Sequence, residues 1–309
     1  MAMPTFLDVI RRNGTDAAVG LIDETTKAVP EVRLGAARTI SGLNYKTRVR
    51  TGLPTVGFRQ VNAGTAVTKS QTEQRLIECY LMNPQFEVDQ AAADAAEDGA
   101  AAYLAEEADA IMRAAMQALG VAFFYGADAT FGKTDGFPGL LQSHDSTNMV
   151  VDAGSVTASV NSSVWAVRWG MGDVNWILGL GGAASVTAPE KVRLVDGSGN
   201  PYTGYRQELY LRPGLQVGSL RSVARIKKLS VLVPLTDVFI DALMEQFPAG
   251  LPPNAIYMTK RSRRQWKNSR TATTPTGSPA PWPDVVEGPE GLIPVFSSDS
   301  LSNIEELTT

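Results

Sequence analysis

An α+β chain is predicted by three features: one long run of helical periodicity over residues 94–125, a long two-stranded ribbon before it over 45–90, and a series of short strands after it over 150–232. The 309 residues suffice for one elaborate domain or two modest ones.

Ahead of the ribbon, residues 5–12 and 15–28 read as two short amphipathic helices. Asn13-Gly14 separates them and Pro30 stops the second. Neither is long enough to stand alone in water, so each needs its own domain or a neighbouring subunit to lie against.

The ribbon starts with strand-like alternation from Tyr45 to Arg50 and continues through Val56, Phe58 and Val61. A polar turn follows at Asn62-Ala63-Gly64-Thr65-Ala66, and a return run leads from Thr72 through Leu76, Cys79 and Leu81 to Val88. An isolated ribbon is marginal in water. A long one with few large apolar residues at its tip is expected to find partners outside its own domain.

In the helix, Leu104, Ala108, Ile111, Ala115, Ala118 and Ala122 recur at spacings of three and four and draw one apolar stripe. Glu97, Asp98, Glu106 and Glu107 crowd its first half, at the positive end of the helix dipole. Gly126 is placed to cap its end.

Beyond a loop at 127–138, strands are expected at 164–169, 174–178, 192–195, 205–211 and 222–229, with turn chemistry at 170–173 and 196–200. Two helices (235–247 and 257–270), a Pro/Thr/Ser loop (271–283) and a last strand (292–296) complete the chain.

Composition removes most catalytic classes. One cysteine, Cys79, excludes an intrachain disulfide and thiolate zinc sites, and one histidine, His144, excludes multi-histidine metal sites. No cofactor is expected. The opening residues lack the basic start and apolar stretch of a signal peptide, and no apolar run reaches membrane-spanning length, so a reducing cytoplasm is the expected place of synthesis.

The formal charge of -4 hides an uneven spread. Residues 73–109 hold ten acids against one base, net -9, and residues 207–270 hold eleven bases against four acids, net +7. Such regions suit contact between identical copies; the alternative is two solvated faces.

Four patterns invite chemistry. Residues 127–134 end in Gly132-Lys133-Thr134, a loose phosphate-loop match. Here a helix precedes the loop, the first glycine is missing, and Asp135-Gly136-Phe137-Pro138 cannot open the helix that phosphate binding needs. Gly179-Leu180-Gly181-Gly182 has no following helix and no acid at the distance a dinucleotide loop requires. Ser143-His144-Asp145 are adjacent in a loop, a poor arrangement for a triad. The helix 257–270 places Lys260, Arg263 or Arg264, Lys267 and Arg270 on one face beside Trp266. This is the rival reading, a nucleic-acid-binding or packaging accessory protein, against a plain solvated face.

Taken in order, several stretches resemble the major capsid proteins of tailed phages, which share the Hong Kong 97 type shell fold. They are Arg50-Thr51-Gly52-Leu53-Pro54-Thr55-Val56, Asn62 with Gly64, Lys69-Ser70 with Thr72-Glu73-Gln74, and Glu87-Val88-Asp89. Phe124-Tyr125-Gly126, Phe137-Pro138-Gly139-Leu140, the run Ser163 to Gly170, and Gly291-Leu292-Ile293-Pro294-Val295 continue the series over nearly the whole chain.

The resemblance implies an amino-terminal arm (1–45), an extended loop lying over an adjacent subunit (46–90), a peripheral domain built on a spine helix (91–232) and an axial domain (233–309). It implies a structural, non-enzymatic subunit that forms hexamers and pentamers of an icosahedral virion shell around double-stranded DNA. Scaffolding, portal and decoration proteins are the further partners implied. On this reading contact between copies falls to Arg48, Arg50, Arg59 and Lys69 on the ribbon, to Glu97, Asp98 and Glu106 on the acidic helix, and to Lys260, Arg264 and Lys267 on the basic one.

Overall fold

The computed structural model describes residues 5–6, 8–9, 29–127, 135–144, 149–270, 281–288 and 291–306, apart from the side chains of 49–51. Of the expected helix at 5–12 only Thr5, Phe6, Asp8 and Val9 are described, with Val9 N donating to Thr5 O at 3.1 Å; the helix expected at 15–28, the Gly-Lys-Thr stretch and most of the Pro/Thr/Ser loop lie outside the described residues.

In chain order the described elements begin with α1 (Pro30–Leu34), β1 (Ala37–Thr39), β2 (Asn44–Gly52), β3 (Gln71–Glu78), β4 (Gln85–Asp89), α2 (Gln90–Asp94) and α3 (Ala100–Tyr125). Next come α4 (Leu140–Ser143), β5 (Val150–Asp152), β6 (Ser162–Val167), β7 (Val174–Leu178), β8 (Ser185–Val186), β9 (Glu190–Val195) and β10 (Pro201–Tyr210). Last are β11 (Pro213–Val217), β12 (Val223–Leu229), α5 (Asp237–Glu245), β13 (Ala255–Met258), α6 (Lys260–Ser269), β14 (Val285–Gly288) and β15 (Gly291–Ser297).

The expected helix over 94–125 is two pieces. Asp89 caps α2, its Oδ1 accepting from Ala91 N at 2.8 Å, and the chain then breaks at Gly99, whose φ of 85° suits glycine. Glu97 and Asp98 therefore lie in the break before α3, not on its first turns. The buried stripe of α3 runs through Leu104, Ala108, Met112, Ala115, Leu119 and Phe123, rotated from the expected seam. Ile111, Ala118 and Ala122 are only half-buried, because the larger Met, Leu and Phe side chains fill the core and turn the alanines to its margin. Gly126 caps the end as expected, its N–H reaching Ala122 O at 2.8 Å.

A six-stranded sheet in the order β14-β15-β13-β6-β12-β5 separates two cores. Alternation along its strands sends Trp165, Val167, Val223 and Tyr257 to the side of α3, where Phe123 stacks on Trp169 at 5.2 Å. It sends Val164, Ala166, Ile226, Ile256 and Met258 into a second core that includes Ile240 and Leu243 of α5 and Trp266 of α6. All six residues of β6 are buried. The expected helix at 257–270 gives up its start to this sheet: Ile256 and Tyr257 belong to β13, and α6 opens only at Lys260, capped by Thr259. The sheet draws strands from 150–167 and 223–229 as well as from 255–297, so the expected border at 232/233 runs through it.

Two smaller sheets flank α3: β1-β7-β11, and β4-β10-β8 with β9 also on β10. The expected return run of the ribbon is thus divided. β3 pairs with β2, while β4 pairs with β10 in another sheet. The turn at Asp196–Asn200 forms as expected, Asp196 Oδ1 accepting the N–H groups of Ser198 and Asn200.

Candidate subunit interface

The β2–β3 hairpin has one firm end. Its root is held where Cys79 N donates to Leu43 O at 2.8 Å and Tyr80 N to Pro213 O at 2.9 Å. Gly214 allows this approach, since a Cβ there would stand 2.7 Å from Glu78 O. Burial raises the Cys79 thiol to about 11, which suits a packing residue and not a nucleophile.

Pairing runs from Asn44 opposite Glu78 out to Gly52 opposite Gln71, and there the ladder ends. Over 53–70 the described bonds between the two arms reduce to Thr68 Oγ1 on Thr55 O, with a turn at Gln60–Ala63 carrying Asn62 at a φ of 68°. Leu53, Val56, Phe58, Val61 and Val67 are all exposed there. An apolar group left in water forgoes about 1.5–3 kcal/mol of burial per large side chain. Five on one unpaired tip mark a surface built to be covered. Sequence reasoning placed Val56, Phe58 and Val61 on strands and missed their exposure; Pro54, Gly57 and Gly64 were the signal that pairing would stop.

Arg48, Arg59 and Lys69 are exposed along the same hairpin, with Arg59 reaching only Ala63 O at 3.4 Å. Arg50 stands in β2, its side chain outside the described residues. Glu97, Asp98 and Glu106 are also exposed, and none of the three is in an ion pair among the described residues. Beside them an apolar groove of about 550 Å³ runs between α3 (Ala101, Leu104, Ala105) and Val186, Pro189 and Tyr205.

The basic helix behaves differently. Lys260 pairs with Asp299 at 2.8 Å, Arg263 with Asp284, and Arg270 with Asp237 at 3.3 Å. Arg261 donates to the carbonyls of Val160, Leu229 and Asn303, and Lys267 lies 4.8 Å over the Trp282 ring. Arg225 is buried against Glu305 at 3.2 Å. The net positive charge of 207–270 is largely answered by acids from elsewhere in the chain. The expected basic face for nucleic acid is therefore mostly engaged by partners in the same chain, with Lys260, in a surface ion pair, and Arg264 exposed on it, and the DNA-binding accessory reading is not supported.

His144 is fully buried, one ring nitrogen against Leu220 O at 2.9 Å and the other against Ser143 Oγ at 2.8 Å. Burial lowers its pKa, so it packs as a neutral ring. Among the described residues no cluster of His, Cys, Asp and Glu could hold a metal ion, and no helix is long and apolar enough to cross a membrane.

The chain shares its fold with a structure of bacteriophage Epsilon15 at a TM-score of 0.63 and 20% identity, covering 100% of this chain and 98% of that one. The capsid of bacteriophage JBD30 is similar at a TM-score of 0.50 and 12% identity, covering 89% and 90%. No curated protein matches it by sequence. The family model for major capsid protein GP7 matches residues 19–270, and the chain therefore belongs to that family, as a structural subunit of a bacteriophage capsid shell.

Proposed function

We propose that copies of this chain form hexamers and pentamers of a closed icosahedral shell around double-stranded DNA, assembled in the host cytoplasm, and that its work there is assembly and not catalysis. The observation that carries this is the hairpin, whose apolar tip has no core in its own subunit. In the proposed assembly the tip lies over a neighbour, with Arg59 and Lys69 opposite the neighbour's Glu97, Asp98 and Glu106 and the tip's apolar residues against its α3 groove.

In this reading the residues ahead of β1 act as the arm and the β2–β3 hairpin as the extended loop, shorter than the expected 46–90 because β4 pairs with β10. α3 with the two smaller sheets forms the peripheral part, and the six-stranded sheet with α5 and α6 the axial part. Scaffolding, portal and decoration proteins are further partners of such a shell.

Deleting residues 58–70 tests the reading. The expected product is a soluble, folded subunit by circular dichroism that forms no shells by electron microscopy. Shells of normal size from that deletion would overturn the role given to the hairpin.

A further inference from the structure

Glu31 is a buried carboxyl that no cation pairs with among the described residues. It sits on α1, is fully inaccessible, and lies where three distant segments meet. Its Oε1 accepts from Ser298 Oγ at 3.0 Å, and Ser298 is itself oriented by the N–H of Ser300 at 3.1 Å. From α3 it meets Gly120, where a Cβ would stand 2.6 Å from Oε1, so only a glycine leaves room for the carboxyl. Its Oε2 has no hydrogen-bond partner among the described residues. The same residue's backbone carbonyl accepts from Trp176 Nε1 at 3.2 Å. Ala36 O then takes the N–H of Trp176 at 2.8 Å, and β1 begins its pairing with β7.

The root of the amino-terminal segment is thus fastened to the sheet by backbone and to α3 and the carboxyl-terminal segment by one acid. An ionised carboxylate in this place would be a desolvated charge with one oxygen unanswered. A neutral acid fits.

We propose that Glu31 is a proton-dependent lock: as the neutral acid it holds residues 29–39 against α3 and the 298–300 segment, and its ionisation loosens that root.

The titratable groups facing it from the packed elements are Asp299 and Tyr257. Asp299 opposes ionisation and is paired with Lys260, and Tyr257 is a buried phenol that accepts from Trp169 Nε1 at 2.9 Å. Burial is the main cause that raises the Glu31 carboxyl above its ordinary 4.5; it outweighs hydrogen bonds from Ser300, the residue's own backbone and Ser298, which act the other way, and Asp299 adds slightly to the rise. The docked root therefore binds the proton more tightly than the released one. Its docking is strongest below that ordinary value, weakens as pH rises through the raised one, and is flat beyond.

Hydrogen exchange read by mass spectrometry on the full-length chain, corrected for intrinsic rates, tests this from about pH 4 to about pH 9. Protection of residues 29–39 is expected to fall by up to about tenfold per pH unit across the titration of one proton, while β6 stays protected throughout. In Glu31→Gln, a neutral isostere, the fall should be absent. A flat wild-type profile, or a variant that follows the wild type, would overturn the lock. If the variant does not fold, infrared spectra of the wild type decide: the band of a buried neutral carboxylic acid must persist while protection falls and vanish where the fall levels off, and its absence at low pH rejects the proposal. Neither outcome depends on whether the hairpin governs shell formation.

Discussion

Arg225 and Glu305 are the residues on which the carboxyl-terminal segment turns. Arg225 Nη2 reaches Glu305 Oε2 at 3.2 Å, its Nε bonds Ser163 Oγ at 2.9 Å, and Tyr125 donates to Glu305 Oε1 at 2.6 Å. Burial, then the adjacent Glu305 charge, holds the Tyr125 phenol well above its usual range, so it remains a donor. A buried pair of this kind is weak evidence of net stabilisation, but removing one partner strands the other charge. Glu305→Ala should lower the stability of the subunit by about 3–5 kcal/mol in urea titrations. Arg225→Met combined with Glu305→Leu should recover much of that loss, because neither charge is then buried alone. A single variant within experimental error of the parent would show that the network is not closed in solution.

At the scale of elements, α6 shows how charge can mislead when read along a helix. Its cations answer partners from four other segments, and the most committed is Arg261, bound to carbonyls at 160, 229 and 303. Arg261→Ala leaves three acceptors to find other donors and should cost about 1–3 kcal/mol in thermal unfolding. Changing Lys260, Arg264 and Lys267 together to Ala should stay within about 1 kcal/mol, since the one ion pair lost, Lys260 to Asp299, is exposed. The triple variant should also leave the salt-dependence of any DNA retention by filter binding unchanged; a large loss would revive the nucleic-acid reading of this helix. α3 is the opposite case. Its buried seam is apolar, Asp109 is paired with Arg113 at 2.7 Å, and the exposed Glu106 has no ion pair among the described residues, so that charge remains available to another molecule.

For the whole molecule, exposed cations stand on the hairpin and exposed acids at and just before the start of α3, with no ion pair between the two groups among the described residues. If that division orients neighbours, shell yield by sedimentation should fall as salt rises, because exposed pairs are screened over about 8–10 Å. Arg59→Glu with Lys69→Glu should suppress assembly. Adding Glu97→Lys and Glu106→Lys should restore part of it, since the reversed charges again face opposite partners. Recovery no better than with the hairpin changes alone would place the contact elsewhere.

The sequence by itself determined the α+β class, the long helix with its Gly126 cap, the ribbon's position, the strands at 174–178 and near 164 and 223, and the family. The elements rest on local periodicity and on residues with narrow backbone preferences, which act over a few positions, and the family on a resemblance of stretches in order along the chain. Tertiary structure alone decided the rest. Met112 and Phe123 displaced the alanine seam because packing volume is settled only against the facing sheet. Ile256 and Tyr257 went to a strand because β6 offered ladder partners, and α6 lost its free charge to acids distant in sequence. At the proposed interface, Arg59 and Lys69 were legible as cations, but the exposed apolar tip around them was not. Whether an alternating run is buried depends on whether a second sheet or helix arrives to cover it, and for residues 53–70 none in this subunit does.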